Sequence, residues 1–447
     1  MGAGQVGRHL ASSLSTKLHE ITVIDQSDAT ADELSETLDV GVVRGNGGSV
    51  TTLIEADVAE CDLFLALTQN DAINLVSASV AKKLGARRAV SRVHPGAQRE
   101  EWLFNYREHF QLDDMFSAER LTAVELFKYI RNPEGLLVED IARGRIEVQQ
   151  IRVDEATQWL ERNLSTLEIP QRIRIALIQR GGRRIFPKGT DTLQNGDLVT
   201  LCGRPFELEK FLDIFQPNRA SRRQARSAVL IFGGSEYGFT LAQMLENGPY
   251  DVRLMESDKQ VCEQLAAELN RTVVLHGDAT SMQQLREEQI SETDFFIGAS
   301  LDDEDNVMSC LQAKNLGARY CLAIVHRSDY ADLIQKNQQQ LGILAAVSPR
   351  VVTSRELLRF VTAEPFHEVV KLPSGVDLLQ VTLQERGSLA NSKVSDVKWP
   401  DGCGLVGWLR EEEAKVPTGA DVLEPGDVVY LIAHSSARRA ITRLFGA

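Results

Sequence analysis

Gly2, Gly4 and Gly7, in the order Gly2-Ala3-Gly4-Gln5-Val6-Gly7, have the spacing of a strand-to-helix turn that can hold an anion. Gly2 would make the turn, Gly4 would let a pyrophosphate approach the backbone, and Gly7 would let helix and sheet pack closely. The unpaired N–H groups and positive end of the following helix would hold the phosphates. A purely structural glycine turn is the competing reading. Ile21-Thr22-Val23-Ile24-Asp25 strengthens the chemical one: an apolar strand ending in a carboxylate, at the separation where a dinucleotide site keeps its ribose-binding acid. Asp25 should accept a free 2′-hydroxyl and repel a 2′-phosphate. Gln26-Ser27-Asp28 brings no arginine to reverse that choice.

A second, altered version follows at Gly233-Gly234-Ser235-Glu236-Tyr237-Gly238. The strand Val229-Leu230-Ile231-Phe232 leads into it, and Val252-Arg253-Leu254-Met255-Glu256 again ends in an acid. Ser235 replaces the middle glycine. Its Cβ and hydroxyl should stand where a pyrophosphate would approach, making this turn weaker or differently selective.

The surrounding elements would position both turns. Val6, Leu10, Leu14 and Leu18 form one apolar face of a helix. Val40-Gly41-Val42-Val43 reads as a strand followed by Arg44-Gly45-Asn46, and Ser49 to Ala59 as a helix. Leu63-Phe64-Leu65-Ala66-Leu67 is an unbroken apolar strand of the kind covered on both faces of a parallel sheet. Thr68-Gln69-Asn70-Asp71 opens a helix, with Asn70 or Asp71 as its cap, and Gly85 closes it. Lys82, Lys83, Arg87 and Arg88 suit the negative end of that helix, against a competing reading as a polyanion site. Ala89-Val90-Ser91-Arg92-Val93 is the next strand. Alternation of this kind makes a doubly wound α/β sheet.

From Asn132-Pro133 short strands dominate, at Ile146–Val153, Ile173–Gln179 and Leu198–Cys202, with turns at Gly181-Gly182 and Asn195-Gly196-Asp197. This is a small α+β lobe. Arg219, Arg222, Arg223 and Arg226 then lie in a polar stretch that reads as a solvated hinge, or alternatively as a contact for anionic lipid. The second half repeats the first segment by segment. Val273-Val274-Leu275-His276-Gly277-Asp278 answers Val42 to Asn46, Ala313 to Arg319 answers Ala81 to Arg87, and Glu424-Pro425-Gly426-Asp427 answers Gln194 to Asp197. The division is a nucleotide-binding lobe (1–131), a small lobe (132–217), a linker (218–226), a second nucleotide-binding lobe (227–362) and a second small lobe (363–447). Asn132-Pro133-Glu134 and Ala363-Glu364-Pro365 offer hinges. The fold class is α/β: two tandem Rossmann-like doubly wound domains, each followed by a small α+β lobe. Before Gly2 only Met1 stands where the second repeat has the strand Ser227 to Phe232, so the sequence reads as short of one central strand.

Composition narrows the function. A net charge of −14 argues against a nucleic-acid binder with a broad basic face. No apolar run approaches the ~20 residues that span a bilayer. Cys61, Cys202, Cys262, Cys310, Cys321 and Cys403 are scattered, which suits free thiols better than disulfides or metal, and the eight histidines show no zinc spacing.

The run GAGQVG, VID, RGN, LTQNDAIN, KKLGAR and VHP, then a β-rich lobe, all duplicated, closely resembles the TrkA family over essentially the whole chain. These are peripheral, nucleotide-binding regulatory subunits of bacterial Trk potassium-uptake systems, built from units called RCK or KTN domains. The resemblance implies NAD or NADH as ligand, with ATP or ADP as further candidates. It implies a homo-oligomer, a dimer or a tetrameric ring, docked on the cytoplasmic face of the inner membrane against a TrkH- or TrkG-like channel subunit. By position it makes Gly2, Gly4, Gln5, Val6 and Gly7 the phosphate loop and Asp25 the ribose ligand. Asn46 would face the adenine, Thr68 and Asn70 the far half of the cofactor, and Arg92 a phosphate or the partner subunit. In the second repeat Gly233, Gly238, Glu256, Asp278 and Ser300 match. No catalytic or metal-binding residue is implied.

Two other functions compete. A dehydrogenase would need an acid or base beside a nicotinamide, and only His94 and His326, after the fifth strand of each repeat, recur suitably. A regulator of another potassium system, such as efflux, would share every motif above.

Overall fold

A computed structural model describes residues 1–15, 19–100, 102–133, 137–142, 145–155, 157–215, 226–361, 366–372, 375–385, 387–410 and 413–445. Leu18, most of the 218–226 linker and the hinge residues Glu134, Ala363, Glu364 and Pro365 lie outside these residues. The chain forms two compact units: Met1–Ile130 with Arg226–Val361, and Arg131–Ala225 with Thr362–Ala447.

In the first unit the opening repeat runs α1 (Gln5–Ser15), β1 (Thr22–Asp25), α2 (Asp28–Thr37), β2 (Gly41–Arg44), α3 (Val50–Glu55), β3 (Phe64–Ala66), α4 (Asp71–Leu84), β4 (Ala89–Arg92), α5 (Pro95–Arg99), α6 (Tyr106–His109), β5 (Asp114–Phe116) and α7 (Ala118–Arg131). The Ser49–Ala59 helix is thus two pieces, α3 and a 3-10 turn at Val58–Glu60, because Asp57 between them adopts φ 50. Asn70 caps α4 by accepting from the Ile73 amide, and Gly85 ends it at φ 130. The strands are all parallel, in two groups: β1 with β2, and β3-β4-β5. Met1 and Gly2 bridge them. The Met1 nitrogen donates to the Leu65 carbonyl, the Leu67 amide to the Met1 carbonyl and the Gly2 amide to the Ile24 carbonyl.

After a small lobe (strands β6 to β10, helix α8, given below) the second repeat runs β11 (Ser227–Phe232), α9 (Glu236–Glu246), β12 (Tyr250–Glu256), α10 (Lys259–Glu268), β13 (Val273–His276), α11 (Met282–Glu287), β14 (Phe295–Gly298), α12 (Asp303–Asn315), β15 (Tyr320–Ile324), α13 (Ser328–Lys336), α14 (Gln338–Leu341), β16 (Ala345–Val347) and α15 (Pro349–Val361). Here one parallel six-stranded sheet forms, in the order β13-β12-β11-β14-β15-β16. β11 is central, and its Val229, Leu230 and Ile231 are fully buried. The amides of Gly233 and Ala299 donate to Met255 and Phe232, the same bonds that Gly2 and Leu67 make in the first lobe.

The two lobes exchange their last helices. Ala123, Leu126 and Ile130 of α7 pack into the second lobe's core with Val229, Ile231, Leu241 and Leu254. Leu357 of α15 packs into the first lobe's core with Leu10, Leu14, Leu67, Val90 and Phe116. Arg355 and Glu125 tie the two helices together at 2.7 Å. Leu126 and Leu357 are fully buried, and truncating either to alanine would cost about 2–5 kcal/mol.

The second unit pairs the small lobes through their sheets, each keeping its own final helix. The first is an antiparallel sheet of β6 (Leu137–Ile141), β7 (Ile146–Arg152), β8 (Ile173–Arg180), β9 (Arg183–Ile185) and β10 (Leu198–Gly203), followed by α8 (Pro205–Phe215). The second comprises β17 (Phe366–Leu372), β18 (Val376–Thr382), β19 (Ser392–Lys393), β20 (Cys403–Arg410), β21 (Glu413–Lys415), β22 (Val422–Leu423), β23 (Val428–His434) and α16 (Arg438–Phe445). Ile146, Val148 and Leu177 share one core with Val376, Leu378 and Ile432. The repeated Gly-Asp turns carry a repeated clamp, Arg180 on Asp197 and Arg410 on Asp427, each through two nitrogens at 2.7–2.8 Å.

Candidate functional site

A cavity of about 670 Å³ lies at the N-terminus of α1, lined by Ala3, Gly4, Gln5, Arg8, His9, Asp25, Thr30 and Arg350. The first glycine turn divides its labour as its spacing requires. Gly2 adopts φ +88, and a Cβ there would sit 2.9 Å from Thr68. A Cβ on Gly7 would lie 2.1 Å from the Gly2 carbonyl oxygen, so this position serves the packing of helix on turn. A Cβ on Gly4 would meet nothing within 4 Å. Gly4 therefore faces open space, where a ligand could come close to the backbone.

Asp25 orients the turn as well as lining the cavity. Its carboxylate accepts from the Ala3 amide at 2.6 Å and the Ser27 amide at 2.9 Å. That ties the glycine turn to the end of β1 and the start of α2. Glu256 does the same in the second lobe, accepting from Gly234 at 2.7 Å and Asp258 at 2.8 Å. A carboxylate has about four lone-pair sites, so two backbone donors leave acceptor capacity for ribose hydroxyls.

The other residues singled out by sequence separate. Val6 is half-buried against the core containing Leu10 and Leu14. Asn46 is exposed and accepts from the Gly48 amide, closing the turn after β2. Thr68 and Asn70 frame the start of α4 and lie outside the cavity lining. Arg92, expected to face a phosphate or the partner subunit, does not line this cavity: it pairs with Glu119 at 3.0 Å, a residue that is itself 4% exposed. Its charge falls instead on Tyr237 of the second lobe.

In the second lobe Gly233 has φ +102 and abuts Ser300, and a Cβ on Gly238 would lie 2.1 Å from the Gly233 oxygen. Asp278 accepts from Thr280, and Ser300 bonds back to the Asp302 backbone. Ser235 departs from expectation. Its hydroxyl is turned inward, donating to the Ala299 carbonyl at 2.6 Å and accepting from the Gly238 amide, so that it caps α9.

Two kinds of residue escaped sequence reasoning. Asn74 is fully buried and bonds the Thr68 amide, hydroxyl and carbonyl and the Arg92 carbonyl, fixing the loop after β3 to β4. Asn306 repeats this with Ser300 and Ile324. The signal was present, an asparagine six residues after Thr68 and again after Ser300. Arg8, His9 and Thr30 lay within the motif region, but nothing local to the sequence linked Arg350 to it. His94 and His326 prove to be strand-end clamps on Asp71 and Asp303, at 2.8 and 3.0 Å. A second cavity of about 450 Å³, at the N-terminal ends of β11, β12 and β13, is lined by Arg226, Arg253 and Arg271, which are already bonded to Asp251, Glu288 and Glu246. Among the described residues no cluster of metal-ligating side chains occurs, and no helix is long and apolar enough to cross a membrane.

Comparison with known proteins agrees with this architecture. The TrkA-N domain family matches residues 1–103 and 229–349, and the TrkA-C domain family residues 148–216 and 378–446. The Trk system potassium uptake protein TrkA homolog of Archaeoglobus fulgidus is 31% identical over 99% of this chain and 98% of its own. TrkA of Haemophilus influenzae is 31% identical over 96% of this chain and 94% of its own. Among solved structures, the GsuK RCK domain superposes with a TM-score of 0.59 at 18% identity, covering 100% of this chain and 94% of that one. The GsuK channel bound to NAD gives 0.59 at 17% identity, covering 100% and 78%.

Proposed function

The chain belongs to the TrkA family, and on that premise we propose that it is a nucleotide-sensing regulatory subunit of a potassium-uptake system. Its relatives are named as Trk potassium-uptake proteins, and a structural neighbour was solved with NAD. The observation that carries the reading is the cavity at Gly4 and Asp25, where an open backbone approach and a ribose-facing acid meet at a helix N-terminus. NAD or NADH is its proposed ligand, with ADP or ATP as competitors for the same loop. In this reading Gly4, Gln5 and Asp25 touch the ligand, Gly2 and Gly7 shape the loop, and Asn46, Thr68 and Asn70 border it.

Nucleotide acts as a signal by favouring one arrangement of the paired lobes, and it can shift that equilibrium only by its differential affinity. The proposed assembly is a homo-oligomer at the cytoplasmic face of the membrane, acting on a TrkH- or TrkG-like channel subunit. Regulation of a different potassium transporter is the second reading, and the membrane subunit that copurifies with the chain decides between them. Calorimetry with NAD, NADH, ADP and ATP, followed by potassium flux in vesicles holding the membrane subunit, tests the whole. Binding without turnover and a nucleotide-dependent flux are expected. Steady oxidation of NADH by the purified chain, or flux indifferent to every nucleotide, would overturn it.

A further inference from the structure

The first lobe does not line its own cavity alone. Arg350, in the first turn of α15, comes from the second lobe's final helix and lines the cavity with Gly4, Gln5 and Asp25. The helix exchange puts it there, since Leu357 farther along α15 is buried in the first lobe's core. The Nε of Arg350 is buried and makes no hydrogen bond, and among the described residues no carboxylate pairs with this guanidinium. His9 is close enough that burial first, and the Arg350 charge second, hold its pKa below the ordinary histidine value. Arg8, the other cation of the cavity, is already committed: it donates to the Ala3 carbonyl, Glu33 and Thr30. A partly buried cation without an anion is costly, and the cost falls when an anion enters.

The matching position in the first lobe's final helix is Glu119, which is exchanged the other way. It is buried, paired with Arg92 and Ser117, and its negative charge bears on Tyr237 in the second lobe's glycine turn. The first cavity is thus lined by a cation from the other lobe that is unpaired among the described residues, while the matching residue near the second turn is already paired with Arg92.

We propose that Arg350 is a phosphate ligand of the nucleotide held in the first lobe, so that the bound nucleotide bridges both lobes. At the second turn the matching position holds Glu119, already bonded to Arg92 and Ser117, so no equivalent cation is offered there. This rests on the reading that the first lobe takes a nucleotide. The shared chemistry is a nucleotide phosphate, either the pyrophosphate of NAD or the terminal phosphate of ADP or ATP.

The test is calorimetry of the full chain with NADH, ADP, ATP and adenosine, in wild type, Arg350→Ala, Arg350→Lys and Gly4→Val. Arg350→Ala should weaken at least one phosphorylated ligand about tenfold, the scale of one charge-assisted hydrogen bond, and leave adenosine unchanged. Arg350→Lys should restore part of the loss. A loss on NADH identifies the pyrophosphate; a loss confined to ADP and ATP identifies the terminal phosphate. Unchanged affinities in Arg350→Ala, or an equal loss for adenosine, would overturn the inference. Should Arg350→Ala fail to fold, Arg350→Gln keeps the stem and carries the same expectation. If wild type binds no nucleotide, or Gly4→Val binds as wild type does, the reading of the first lobe fails. If Gly4→Val alone abolishes binding, only the role of Arg350 fails.

Discussion

At Gly4 the first lobe has open space, and Arg350 lines the same cavity. At Ser235 the second lobe has a side chain folded inward, bonded to the Ala299 carbonyl and capping its own helix. Both lobes keep the positive-φ first glycine, the packed last glycine and the acid that accepts from the turn. The shared parts are those that build a strand-turn-helix joint. The parts that differ are those a ligand would touch. In the proposed reading the first copy leaves this position open to a ligand, while the second uses it to cap a helix.

The largest effect that would break this comparison is Gly4→Val. Its Cβ meets no protein atom, so the melting temperature should stay put while nucleotide affinity falls more than about a hundredfold, the scale of a blocked contact surface. Gly238→Val is not its counterpart. At 2.1 Å from the Gly233 oxygen it should unfold the second lobe, which thermal denaturation would register. The reverse change, Ser235→Gly, should leave nucleotide stoichiometry unaltered in calorimetry, because the second turn still has Glu119 where the first has Arg350.

Asn74→Ala and Asn306→Ala should each cost about 2–3 kcal/mol by denaturant unfolding, since each leaves several buried backbone groups unpaired. Only Asn74→Ala should also weaken nucleotide. If both variants lose ligand equally, the two lobes are not functionally distinct.

Asp25→Ala should weaken NAD by about 1–2 kcal/mol, and wild type should prefer NAD to NADP in the same titration. Equal affinities for the two dinucleotides would remove the ribose role from Asp25 and leave it the turn-fixing role seen in Glu256.

The smallest effect concerns the seam between the lobes. Burial pushes the Glu125 carboxyl up, but Lys128 and Arg355 outweigh it and hold it below the ordinary carboxylate range. A depressed carboxylate stabilises the folded state above its unfolded pKa of about 4.3, and that contribution is lost as pH falls further. Stability measured from pH 6 down to 3 should therefore drop, and Glu125→Gln should flatten part of the slope. An identical slope in the variant would show that the ion pair contributes nothing.

Much of this was legible along the chain because it is local. Glycine spacing, β-branched runs ending in acids and the Asn70 cap depend on residues a few positions apart, and duplication displayed each of them twice. The clamp of Asp71 on His94 was half visible, as a histidine recurring without an evident partner. The pairing of Arg92 was not legible because its partner, Glu119, lies on the exchanged helix, which no local pattern places.

The sequence by itself determined the strand–helix alternation, the two glycine turns, their acids and the small lobes, since periodicity and turn chemistry act at short range. Only the tertiary structure decided that like lobes pair, and that α7 and α15 change places. Their apolar faces specify burial but not the surface that buries them. With that exchange comes a difference between the two turns, for Arg350 lines the cavity at the first while the matching Glu119 is taken up by Arg92, both residues lying far away in sequence from the glycines.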